Sequence, residues 1–278
     1  MKKAIIVAVC VVVAISALLF SACTGGGVTV DQAWASNESL SYSMYDSEVN
    51  GGTTKVGSVN MVTTTNLTAD EKGAYPKADT KVTVSLTRDG VCTLDTTFYT
   101  RVQNVISLKR TYVDLQNCEN DYVLNARHDG KNYVYDITYP SASDKNTSGK
   151  INVGNANYTD NEFIYFYIRC YDVASVPSSI KIADPFNNTA YEVGCTYQSD
   201  SATVTVETDK FGTNVISANS VTVSRNENPV GSGLTVYYLP EKSDYSYGGL
   251  SLIKSVKLPV KIVENNISYV LNDFSASK

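Results

Sequence analysis

Histidine is almost absent. The chain has 278 residues and one His, His128. A Ser-His or Cys-His hydrolase would have to use that residue, yet it stands in the turn-like Arg127-His128-Asp129-Gly130, and its expected place is an exposed turn. No Gly-x-Ser-x-Gly elbow supplies a nucleophile, and a histidine-rich metal site is excluded by count. No Cys-x-x-Cys occurs among the 6 Cys, which argues against a zinc cage or a thioredoxin-like redox motif. No phosphate-cradling Gly loop appears. Charge is also scarce, at 18% Asp, Glu, Lys and Arg, with a formal net charge of −5. The pI of about 5.0 argues against general nucleic-acid binding, which needs a basic footprint. Asp144 to Gly149 matches the first half of a calcium loop, but the twelfth position is Asn155 and the bidentate Glu is missing. The chain calls for no metal and no cofactor, and it does not read as an enzyme.

What is present describes a β-protein. The 43% hydrophobic content is too high for a disordered chain, and 20 Tyr with many Thr and Val favour strands. Period-two alternation recurs. Val82, Val84 and Leu86 alternate with polar neighbours, as do Val204 and Val206, and Val256, Leu258, Val260 and Ile262. Tyr133, Tyr135, Ile137 and Tyr139 share one face. This is the pattern of an antiparallel sheet with one face buried. Asp89-Gly90, Asp129-Gly130 and Asn265-Asn266 are the expected tight turns. Pro259 cannot donate to a ladder, so its strand is expected at an edge, or with that position facing outward. No solenoid-type repeat is present, and residues 28–278 read as one domain.

The N-terminus reads as an address. Lys2 and Lys3 precede an uncharged apolar run from Ala4 to Phe20, which is closed by Ser21-Ala22-Cys23. A positive start, a short apolar stretch and small residues make an export signal. Ser21-Ala22-Cys23 resembles the lipobox of bacterial lipoproteins, in which the Cys is diacylated and becomes the first mature residue. Residues 1–22 are then a signal peptide, and residues 23–27 the lipidated Cys23 and a Gly-rich tether. The alternatives are a retained transmembrane anchor, for which the run is short of the ~20 residues a span needs, and a signal that is simply cleaved. Export leaves about 250 residues, enough to bury about 75% of the chain surface without a metal or disulfide. Cys92, Cys118, Cys170 and Cys195 remain. Outside the cytoplasm they permit two disulfides, the simplest pairing being Cys92–Cys118 and Cys170–Cys195; four buried thiols are the alternative.

One segment departs from alternation. Thr159-Asp160-Asn161-Glu162 has the spacing of a capping box, ahead of the nearly all-apolar run Phe163 to Tyr171. That predicts a buried helix; the competing assignment is a strand, because aromatic and β-branched residues dominate. Pro177 stops it. From Asp160 to Phe274 the chain resembles an uncharacterised family of bacterial envelope proteins grouped with the LolA/LppX-like half-barrel lipoprotein carriers. The residues that carry the resemblance are the acidic opening of the aromatic helix, then Tyr167, Arg169 and Asp172, then Leu258-Pro259-Val260-Lys261-Ile262 and a last strand from Ile267 to Phe274. A Gly frequent in that family after the helix Asp is missing between Val173 and Ser179. The resemblance implies a mostly β fold: a strongly curved antiparallel sheet, or half-barrel, with one helix packed on its concave face.

The expected function is that of a non-enzymatic lipoprotein outside the cytoplasm, tethered to a bacterial membrane by its N-terminal lipid and binding or carrying a lipid or other apolar ligand. Tyr167, Arg169 and Tyr171 are the candidate ligand contacts. Arg169 has two possible settings: buried and paired, with Asp172 or a sheet carboxylate, or open to a ligand's anionic head. The alternative function is a surface interaction module with a closed core. Tyr237, Tyr238, Tyr245 and Tyr247 form a further aromatic cluster that could stack on sugars or enter a membrane.

Overall fold

The computed structural model describes residues 37–102, 106–154, 158–169, 178–208, 212–225, 233–239 and 258–276. The signal and tether, Cys170, Tyr171, Asp172, Asn155, Tyr245, Tyr247 and Val256 lie outside the described residues.

Alternation makes strands here because successive side chains point to opposite faces. Fifteen form: β1 (Glu38–Asp46), β2 (Lys55–Thr64), β3 (Thr80–Arg88), β4 (Cys92–Val102), β5 (Ile106–Gln116), β6 (Tyr122–Asp129), β7 (Asn132–Thr138), β8 (Thr147–Asn152), β9 (Tyr158–Asp160), β10 (Ser179–Asp184), β11 (Thr189–Thr208), β12 (Gly212–Arg225), β13 (Leu234–Tyr238), β14 (Pro259–Glu264) and β15 (Ile267–Ala276). They build one sheet in the order β8-β7-β6-β5-β4-β3-β2-β1-β15-β14-β13-β12-β11-β10-β9. Every ladder is antiparallel except β9 on β10. The first and last described strands meet in the middle of the sheet, where β1 pairs with β15. The chain runs outward to β8, then crosses to the far edge and returns from β9 to β15. The edge strands β8 and β9 share no ladder, so the sheet is open.

Register carries the buried face across the sheet. Phe274, Leu40, Met61, Val84, Thr96, Val113, Leu124 and Ile137 are successive cross-strand partners, and all are buried. A one-residue slip anywhere would turn the apolar set outward. A parallel row ends where Tyr135 faces Gly149; a Cβ there would lie 2.5 Å from the Tyr135 hydroxyl, so glycine lets the ring cover the β8 backbone. Strands distant in the order also meet: β11 touches β14 and β15, β8 touches β11, and β5 touches β9. The buried residues form one continuous hydrophobic cluster.

The turns fall at the expected dipeptides. Asp89 and Gly90 have φ of 53° and 70° and Asn265 has φ of 53°, the left-handed values that two-residue hairpins need. Of the two expectations for Pro259, the edge strand is the one not met. Its strand lies between β13 and β15, and it is tolerated as the first residue of β14, beside a register shift.

Two short α-helices occur among the described residues. α1 (Ala69–Ala74) is absent from the expectations above and joins β2 to β3 with no buried residue. Its Thr68 and Glu71 form a capping box. α2 (Ile164–Arg169) is the aromatic helix, but its start differs from the predicted one. Thr159 and Asp160 belong to β9, and the Asp160 carboxylate accepts the Phe163 N–H at 2.9 Å, so no Thr159–Glu162 box forms. At six residues α2 is too short to stand alone. It is held by packing: Phe163 and Phe166 meet Phe98 of β4 at ring-centroid distances of 4.8 and 6.2 Å, and all three are buried. Burying one such side chain contributes about 1.5–3 kcal/mol.

Candidate functional site

Asp160 fixes the entrance to α2. Its buried carboxylate accepts hydrogen bonds from the Thr111 hydroxyl and from the Tyr133 hydroxyl at 2.9 Å, besides the Phe163 N–H. Desolvation raises its pKa although these donors pull it down. The three donors satisfy it, so Asp160 is a structural hub that ties α2 to β5 and β7. Beside it, His128 Nδ1 lies 2.8 Å from the Tyr158 hydroxyl, with the two rings stacked. His128 is therefore half-buried rather than an exposed turn residue, and burial together with the charge of Lys109 lowers its pKa. No candidate nucleophile contacts it among the described residues.

Arg169 fixes the other end of α2. Its Nη1 and Nη2 each donate to a Glu38 carboxylate oxygen at 2.7 Å. Tyr167 and Arg169 are both buried. Of the two kinds of partner considered for Arg169, the sheet carboxylate is present, on β1; Asp172 lies outside the described residues. Cys92 and Cys118 form a disulfide between β4 and the loop after β5. Cys195 is a free, half-buried thiol whose pKa burial pushes up to about 11. Tyr238 is buried and Tyr237 packs against the core.

Between these two anchors the interior is not filled. Two cavities, of about 320 and 140 Å³, flank the segment Asn161–Tyr165. The larger is walled by Ile182 of β10, Tyr191 and Val193 of β11, Val223 of β12 and Leu234 of β13. The smaller is walled by Val59 and Met61 of β2, Val84 and Leu86 of β3, Leu94 of β4, Ile262 of β14 and Tyr269 of β15. Asn161, Ile164, Leu234 and Glu264 line both, so the two spaces adjoin. Register explains the convergence: Leu234 faces Glu264 across the β13–β14 ladder, and Ile262 faces Tyr269 across β14–β15. Neither Tyr167 nor Arg169 lines either space.

The charged groups among the described residues of these walls are both acidic, and Asn161, Asn265 and three tyrosines are the neutral polar ones. Asn161 accepts a hydrogen bond from the Tyr191 hydroxyl at 2.6 Å. Glu162 is half-buried, and desolvation, with the charges of Asp160 and Glu264 nearby, pushes its pKa up to about 8. Glu264 is crowded by protein yet exposed at the rim, and desolvation raises its pKa too. Its solvent access makes it the more readily ionised of the two. Burial also raises Tyr165 and Tyr269, so both hydroxyls stay neutral. No group of three His, Cys, Asp or Glu suited to a metal occurs among the described residues.

Sequence reasoning did not reach Asn161, Glu264, Tyr191 or Tyr269 as site residues. The only local signal was an acidic residue at the end of an apolar alternation, just before the Asn265-Asn266 turn.

No family model matches the chain, and no curated protein does. Among solved structures it is similar to the β-barrel-like protein of domain of unknown function DUF1849 from Brucella abortus, at 6% identity and a TM-score of 0.42, over 88% of this chain and 99% of that one. No helix among the described residues is long and apolar enough to cross a membrane.

Proposed function

We propose that this chain is a non-enzymatic lipoprotein, exported and tethered to a bacterial membrane through Cys23, whose sheet curves as a half-barrel around α2 and binds an apolar or amphipathic ligand. The observation that carries the reading is the pair of adjoining cavities between Asn161–Tyr165 and both halves of the sheet. A sheet with one apolar face must cover it with something. α2 covers part of it through Phe163, Phe166 and the Arg169–Glu38 pair. Of the uncovered remainder, the smaller part has mainly apolar walls, and the larger, walled about equally by polar and apolar groups, has a volume at the low end of the ~300–1,000 Å³ common for small-molecule sites. The contacts of β11 with β14 and β15 support the curvature. The lipobox-like Ser21-Ala22-Cys23 supports the tether.

The packed end of α2 favours a second reading, a surface interaction module whose helix completes the core. The two readings separate on material purified without detergent and extracted into organic solvent. The carrier yields a defined apolar compound by mass spectrometry, close to one per chain, and binds apolar probes after extraction. The module yields none and binds none.

A further inference from the structure

Because the described residues that line the cavities include two carboxyls and no cationic side chain, we propose that their occupant is a cationic amphiphile: an alkylamine-type molecule whose tail lies among the apolar walls and whose ammonium sits beside Glu162 and Glu264. The inference rests on the ligand-binding reading above and adds the chemistry of the head group.

The argument is one of charge complementarity. Glu162 and Glu264 line the smaller cavity together, and the charge of Glu264 adds to the burial that holds the proton on Glu162. Neither has a hydrogen-bond or ion-pair partner among the described residues. No Lys, Arg or His is among the described residues that line either space. The guanidinium of Arg88, whose charge acts on Tyr269, is already engaged by Asp46 at 2.8 Å and Asp89 at 3.4 Å. Two like charges in such a setting repel each other and hold a proton that neither would keep in water. An ammonium entering beside them relieves both effects. A fatty-acid carboxylate or a phosphate would add a third negative charge, with no cation among the described lining residues to pair it. Tyr165 and Tyr269 border the same space, and an aromatic ring attracts a cation placed over its face. Arg169, the one buried cation of α2, cannot reverse this preference, because Glu38 already occupies it.

The test uses the mature chain and three probes with one tail, octylammonium, octanol and octanoate, titrated calorimetrically in mildly alkaline buffer. The expected order is octylammonium tightest, octanol intermediate and octanoate weakest, with about tenfold or more between the two ions. Glu264→Gln should weaken octylammonium about tenfold and leave octanol unchanged, and Glu162→Gln should act in the same direction. Circular dichroism on each variant confirms the fold. Octanoate binding as tightly as octylammonium, or an order untouched by the double substitution, overturns the proposal while leaving a ligand-binding cavity. Failure of all three probes to bind overturns the ligand-binding reading itself.

Discussion

Replacing Arg169 with Met removes the guanidinium and keeps much of the side-chain volume. The side chains of Arg169 and Glu38 are 1% and 5% exposed, so the lost partner cannot be replaced by water. Breaking one side of a buried, hydrogen-bonded pair costs about 3–5 kcal/mol, because the remaining charge stays buried and alone. At about 2–4 °C per kcal/mol for a domain of this size, the melting temperature should fall by about 6–20 °C. Glu38→Met should cost a similar amount. The double substitution should cost much less than the two together, since an apolar pair in place of an ion pair is often neutral or better. Thermal melts of the four proteins, read as a double-mutant cycle, supply the coupling energy. A fall below about 2 °C for Arg169→Met, or simple additivity, would refute the claim that α2 is locked to β1 through this pair.

Three further outcomes are expected. Glu162 titrates at about 8 in the fold against an ordinary 4.5, so the folded state holds a proton that the unfolded chain releases. Stability should therefore fall as pH rises from about 4.5 to about 8 and then level; chemical denaturation across that window should show the slope, and Glu162→Gln should flatten it, whereas a slope of the opposite sign contradicts the burial argument. Reducing the Cys92–Cys118 bridge, whose ends are 26 positions apart, should lower stability by about 3 kcal/mol in the chain-entropy account, and equal denaturant midpoints with and without reductant would contradict that. Labelling with a clickable fatty acid should mark the wild-type chain and not Cys23→Ala, and a label that survives the substitution removes the lipid tether.

The sheet was legible wherever one face is wet. β3 and β7 show it: Val82, Val84, Tyr133, Tyr135 and Ile137 alternate cleanly because their neighbours meet solvent. The order of strands was not legible, because local periodicity says nothing about which strands become neighbours. β9 follows β8 closely in the chain yet stands at the opposite edge, and β1 pairs with β15 from the other terminus. The start of α2 was misplaced for a related reason. Thr-x-x-Glu spacing imitates a cap, whereas the true acceptor, Asp160, is chosen by Thr111 and Tyr133, which are 49 and 27 positions away. The real capping box, Thr68 with Glu71, has the same spacing on a solvent-exposed helix with no apolar run to mark it. Arg169 was visible as a charge in an apolar run, but its partner Glu38 is 131 positions distant. Glu264 was one acid among 28 Asp and Glu until the sheet brought Glu162 near it.

The central claim, that the space beside α2 receives an apolar ligand, is tested most directly by blocking that space. Ile164 lines both cavities and is only half-buried. Titrating the wild-type chain with the neutral fluorescent dye N-phenylnaphthylamine should give saturable binding of one dye per chain. Ile164→Trp, folded and melting within a few degrees of wild type, should bind at least about tenfold more weakly, a loss of about 1.4 kcal/mol or more. Equal binding by the two proteins, or no saturable binding by either, would contradict the account.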